Sequence, residues 1–169
     1  MSAADYARLL RPRVLRQFTP QLVRLINELP NLERQNKATL GRLFMHGGLG
    51  HATERPDGRL RASVRIPPGE LIWSPSAIIM PHGGDLEIEI TNDDPNPHCA
   101  LLPSNGDKQW MWLPVHSRGT AHLNLDGPGY YWFSSTIANN EGRGLTGVIV
   151  VESDVPPKAR LDRPHQPRP

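Results

Sequence analysis

A single cysteine, Cys99, stands in 169 residues, so no disulfide can close within the chain and no Cys-rich zinc or iron–sulfur framework can form. Long apolar runs are missing too. Stretches such as Leu71 to Trp73 and Ala77 to Met80 fall far short of the roughly 20 residues a bilayer-spanning helix needs, and no membrane span is expected. The start, Met1 to Arg8, has charges with no apolar stretch behind them, so no secretory signal is legible. A cytoplasmic location is the expectation; carriage outward with an exported partner, or a start further upstream, is the alternative. No single element combines basic and aromatic residues as a nucleic-acid footprint requires, so no nucleic acid is expected as a partner.

What the chain has in quantity is proline and glycine, 18 and 15 residues, without a collagen period or a low-complexity tract. That suits a turn-rich β protein of one domain with appended segments. Charge is uneven beneath a net +2: residues 1–60 carry ten Arg/Lys against five Asp/Glu, residues 61–155 five against eleven, and residues 156–169 four against one.

From Tyr6 to Phe44 the apolar residues recur at helical spacings, as in Leu22, Val23, Leu25, Ile26 and Leu29. Thr19-Pro20 reads as an N-cap with proline at the first helical position, and Pro30 closes the helix, so Gln21 to Leu29 is expected to be helical. After Gly58 the pattern changes to period two. Leu60, Ala62, Val64 and Ile66 alternate with polar residues, as do Leu86, Ile88 and Ile90. Further strands are expected at Leu71–Trp73, Ala77–Met80, Ala100–Leu102, Trp112–Val115, Ala121–Leu125, Gly129–Ser134 and Gly147–Glu152. The expected class is mainly β, a Greek-key β-sandwich with a short helical N-terminal extension. Its parts are a basic helical arm and linker at 1–58, the sandwich at 59–155, and a disordered proline-rich tail at 156–169.

Two segments carry the most information: Thr91-Asn-Asp-Asp-Pro-Asn-Pro-His-Cys-Ala-Leu101, and Gly127-Pro-Gly-Tyr-Tyr-Trp-Phe-Ser-Ser135 running on to Gly142-Arg-Gly-Leu-Thr-Gly-Val-Ile-Val-Val151. They resemble the two copper-site segments of the cupredoxin family, over about residues 59–153. The resemblance places the first copper histidine at His98, the family's cysteine position at Ser135, its second histidine at Asn140 and its axial methionine at Leu145. Hydroxyl, carboxamide and hydrocarbon cannot replace thiolate, imidazole and thioether as copper donors, so the scaffold is expected without its copper chemistry. His98 is expected to hydrogen-bond Ser135 or Asn140 across the old ligand cavity. Cys99, next in the strand, should leave by the opposite face and sit in the core as a small apolar residue. An alternative is a non-family copper site drawn from His98, Cys99, His116 and His122, which would make the protein an electron carrier. His46, His51, His82 and His165 are expected in solvent.

Gln109-Trp-Met-Trp-Leu113 puts Trp110 and Trp112 on one face and Met111 on the other. At least one indole is expected in the core; the other, with Met111 or Tyr130, is a candidate for docking a partner or stacking on a planar ring. Ser134, Ser135, His116 and Asp126 make no hydrolytic site, because no strand-to-helix elbow surrounds either serine. The loop Gly142-Arg-Gly-Leu-Thr-Gly147 opens no helix and lacks the means to hold phosphate.

The basic arm followed by a ligand-stripped cupredoxin ending in Gly-Arg-Gly-Leu-Thr-Gly-Val-Ile-Val-Val resembles a bacterial family of small proteins associated with pyrroloquinoline quinone (PQQ). That resemblance implies a non-enzymatic accessory protein of a PQQ-dependent alcohol dehydrogenase system, with the dehydrogenase or its maturation proteins as partners. Trp110, Met111, Trp112, Arg118 and Arg143 are the candidate contacts. PQQ, a planar tricarboxylate, could lie between an indole and Arg118 or Arg143. The acidic balance of residues 61–155 opposes that trianion unless the basic arm closes over it. Copper is not expected.

Overall fold

The computed structural model describes residues 47–105, 108–137 and 145–159. The expected helical arm and most of the proline-rich tail lie outside the described residues. Ten strands run in chain order: β1 (Leu49–His51), β2 (Thr53–Glu54), β3 (Leu60–Ile66), β4 (Ala77–Met80), β5 (Gly84–Asn92), β6 (His98–Leu102), β7 (Gln109–Leu113), β8 (Arg118–Leu125), β9 (Gly129–Ser134) and β10 (Thr146–Val151). They form a six-stranded sheet of order β1-β4-β10-β9-β6-β7 and a four-stranded sheet of order β2-β3-β5-β8. The protein is mainly β, a sandwich of two sheets.

Alternation builds the core. Leu60, Ala62 and Val64 of β3 stand beside Leu86, Ile88 and Ile90 of β5 in parallel register, and all point inward. Ala121, Leu123 and Leu125 extend that layer across β8. Opposite them the larger sheet contributes Ile78, Met80, Ala100, Leu102, Leu113, Phe133, Ile149 and Val151. Each fully buried aliphatic side chain here contributes about 1.5–3 kcal/mol relative to exposure. The outer face of the smaller sheet is wet and charged. Basic residues from β3 and the preceding turn pair with acidic residues of β5 and beyond, as in Arg65–Asp93 at 3.0 Å, Arg61–Glu87 at 3.9 Å and the Arg55–Glu87 contact.

Three expectations change. Leu71–Trp73 is not a strand: Trp73 is fully buried in the core, its ring 5.3 Å from that of Phe133, and only Ser74 makes an isolated bridge to Arg65. Within the expected arm and linker, β1 and β2 occupy residues 49–54 and join the edges of the two sheets. At the other end Pro157–Ala159 forms a 3-10 turn whose Ala159 is buried against Gly58, so the ordered chain runs past residue 155.

Candidate functional site

The turn Asn92 to Pro97 carries the chain from β5 into β6 and holds a buried polar cluster. Asn92 organises it: its side-chain oxygen accepts from Asp94 N at 3.0 Å, while its amide donates to the carbonyls of Asn96, Leu113 and Pro114 at 2.9, 3.1 and 3.2 Å. The Asp94 carboxylate accepts from Gly69 N at 2.9 Å, Asn96 N at 3.3 Å and Asn96 Nδ2 at 3.2 Å. His98 Nε2 lies 2.8 Å from the same carboxylate, and both side chains are only 1% exposed. Burial pushes the Asp94 carboxyl up, but the donors from Gly69, His98 and Asn96 outweigh it and hold the group below its ordinary value. An ionised carboxylate only accepts, so His98 Nε2 is the donor in this pair.

The partner shown for His98 is therefore Asp94, a residue the sequence reading passed over. Ser135 turns elsewhere: its hydroxyl accepts from Cys99 N at 3.3 Å, and its own N–H donates to Leu145 O at 3.0 Å. Leu145 is fully buried in the apolar core, and Asn140 lies outside the described residues.

Cys99 does leave β6 on the face opposite His98, yet it is not part of the sandwich core. It is buried on the outer face of the larger sheet, opposite Trp112 in register. Its sulfur lies 3.3 Å from Thr136 Oγ1 and accepts from Thr136 N at 3.3 Å. Burial pushes the thiol up, but Thr136, Ser135 and the Trp110 indole hold it below its ordinary value.

On that same outer face stand Trp110 and Trp112, ring centroids 6.1 Å apart and planes 21° from parallel. They are 58% and 48% exposed, and with Val115 they are the exposed large hydrophobics among the described residues. The expectation of one indole in the core fails because alternation along β7 gives the inward position to Met111 and turns both tryptophans to the outer face of the sheet. Met111 is the side chain that turns inward, packing against the core on the face opposite the indoles. Arg118 stands on the outer face of the other sheet, paired with Glu89 at 3.8 Å, so the thickness of the sandwich separates it from the indoles. Arg143 lies outside the described residues.

The remaining candidates are also dispersed. His116 is exposed in a turn at φ 53°, and His122 is exposed on the outer face of β8 opposite Glu87. His116 and Asp126 flank opposite ends of the eight-residue β8, roughly 27 Å apart, too far to act on one group. His82 is not in solvent: it is buried, with Nδ1 2.7 Å from Gly83 O and Nε2 3.1 Å from Glu54.

Comparison with known families matches residues 18–169 to the model of the PQQ-associated family. The chain belongs to that family. Among solved structures, similar folds include auracyanin from Roseiflexus castenholzii (14% identity, TM-score 0.49, 54% of this chain and 95% of that one). Auracyanin A from Chloroflexus aurantiacus (14%, 0.48, 56% and 100%) and a purple cupredoxin from Nitrosopumilus maritimus (19%, 0.41, 54% and 99%) are further examples. A search of curated protein sequences finds no match.

The sequence resemblance to copper-site segments can be tested against the donor set here. The thiolate position holds a serine engaged by a backbone N–H, the thioether position holds a leucine inside the core, and His98 Nε2 is committed to Asp94. Among the described residues no group of three His, Cys, Asp or Glu side chains is placed to hold a metal. His98 and Cys99, the two strongest donors near the old site, point to opposite faces of β6. These residues do not fit a copper ion of the cupredoxin kind.

Proposed function

We propose that this PQQ-associated protein is a non-enzymatic accessory component of a PQQ-dependent alcohol dehydrogenase system, and that it works by docking through the Trp110–Trp112 edge. The observation that carries this reading is the stacked, half-exposed indole pair on an edge strand, in a body whose exposed large hydrophobics gather within Trp110 to Val115. Solvent-exposed paired tryptophans are costly to leave wet, and tryptophan is among the residues that dominate binding interfaces. The family match supports a PQQ-related partner. Direct capture of the quinone is the weaker reading, since Arg118 stands across the sandwich from the indoles.

Titrating the purified chain against a purified PQQ-dependent alcohol dehydrogenase by calorimetry tests the docking reading. Binding is expected, and Trp110→Ala combined with Trp112→Ala should weaken it at least about tenfold, equivalent to about 1.4 kcal/mol. Unchanged affinity in the double variant would exclude this edge as the docking site. A tryptophan fluorescence change on adding free PQQ would instead support the quinone reading.

A further inference from the structure

The edge strands of the two sheets are β1 and β7 in the larger and β2 and β8 in the smaller, and they differ in how they are closed. β1 and β2 are only three and two residues long. β8 is longer, but the half toward Leu125 is tied to its own chain. His122 O accepts from Gln109 Nε2 at 2.8 Å, Asn124 O accepts from Asn105 N at 2.7 Å, and Asn124 N–H donates to Ser104 Oγ at 3.1 Å. Its other end carries Arg118, paired with Glu89. Short length, covering and charge are the means by which sheets keep their edges from pairing with other chains. β7, Gln109-Trp-Met-Trp-Leu113, is a five-residue edge with no charge and no proline.

Hydrogen-bond directions across the larger sheet show which groups β7 leaves open. Ser135 N–H donates to Leu145 O on the β10 side, so by alternation Ser134 directs its backbone groups toward β6, where it pairs with Leu101. Cys99 N–H points the same way, to Ser135 Oγ. Leu101 and Cys99 thus face β9, and the residues between and beside them, His98, Ala100 and Leu102, face their register partners Leu113, Met111 and Gln109 on β7. The N–H and C=O of Trp110 and of Trp112 therefore point away from β6, and among the described residues they meet no hydrogen-bond partner. The strand also reads almost alike in both directions about Met111, with a tryptophan on either side and an uncharged residue beyond each.

We propose that β7 pairs edge to edge with β7 of a second copy of this chain, antiparallel about a two-fold axis at Met111. An isologous contact must be complementary to itself, and this strand is. In that register Trp110 of one copy stands opposite Trp112 of the other, and these are the residues whose open N–H and C=O groups exchange both hydrogen bonds of a pair. No like charges meet, because β7 carries none. Indole lies beside indole across the junction, the kind of cross-strand aromatic pair that stabilises sheets. The rings rise on the outer face, out of the plane of pairing, so the dimer gathers the tryptophans of both copies into one aromatic platform. The pairing uses the backbone edge and the docking proposed above uses the rings, so neither depends on the other.

Sedimentation equilibrium of the full, unsubstituted chain over a concentration series, with amide exchange followed by NMR at the same concentrations, tests this without a variant that could misfold. The mass is expected to rise from one chain toward two. In dilute solution the amides of Met111 and Leu113, bonded to β6, should be protected and those of Trp110 and Trp112 should exchange freely. Where the dimer dominates, exchange at Trp110 and Trp112 should slow at least about tenfold. A mass of one chain throughout would overturn the proposal. A dimer in which the Trp110 and Trp112 amides exchange as fast as in dilute solution would also overturn it, since the copies would then meet through another surface.

Discussion

A carboxylate taken out of water costs several kcal/mol unless donors replace its hydration, and Asp94 meets that condition through Gly69, Asn96 and His98. Removing the charge leaves those donors facing an amide that can satisfy only some of them. Asp94→Asn is expected to cost about 3 kcal/mol in urea unfolding. The pH dependence has a definite sign. The folded-state value of Asp94 lies below its ordinary one, so its contribution is complete above about pH 4 and is lost as the pH falls through the depressed value. The wild-type midpoint should therefore drop steeply on acidification below pH 4, and that part of the slope should be missing in Asp94→Asn. The tryptophans separate by place. Trp73→Ala, in the core against Phe133, should cost about 3–5 kcal/mol, whereas Trp110→Ala and Trp112→Ala should each cost less than about 1 kcal/mol in the same unfolding measurement. The turn that leads into His98 was legible in the sequence because Asn, Asp and Pro mark it. The place of Asp94 was not, because a turn residue's type does not say whether its side chain folds back beneath the following strand.

Strand period tells more than strand existence. β3 and β5 alternate strictly and have one wet face, whereas Ala77–Met80 and Val148–Val151 are continuous apolar runs, the pattern of strands buried on both sides. The sequence showed these strands and most of their bounds, and the difference in pattern was present in it. What it could not show was which face of β7 meets the core and that β7 lies at a sheet edge, since both depend on pairing between distant segments; Met111 takes the inward place and both indoles lie outside. β1 and β2 escaped notice for a related reason: they are two or three residues long, set among glycine and polar residues, and they exist as strands by virtue of the edges they join. Packing between paired strands also sets a limit on substitution. Gly147 stands opposite Phe133, and a Cβ there would lie 2.3 Å from the ring, so Gly147→Ala should destabilise the β9–β10 pair by about 1–3 kcal/mol, read as a lowered urea midpoint.

At the scale of the molecule, two sheets close on one core, and the turn before β6 introduces a His98 whose described surroundings are buried and hydrogen-bonded. Ser135 is tied to Cys99, His98 to Asp94, and Leu145 fills core. Among the described residues the exposed large hydrophobics lie at one aromatic edge. Docking through that edge, as proposed above, needs no copper centre. Copper loading of the full chain, followed by metal analysis of the desalted protein and its visible spectrum, tests that claim most directly. The account predicts far less than one copper per chain after desalting and no visible band. One retained copper per chain with the intense absorption of a copper–thiolate bond would contradict it.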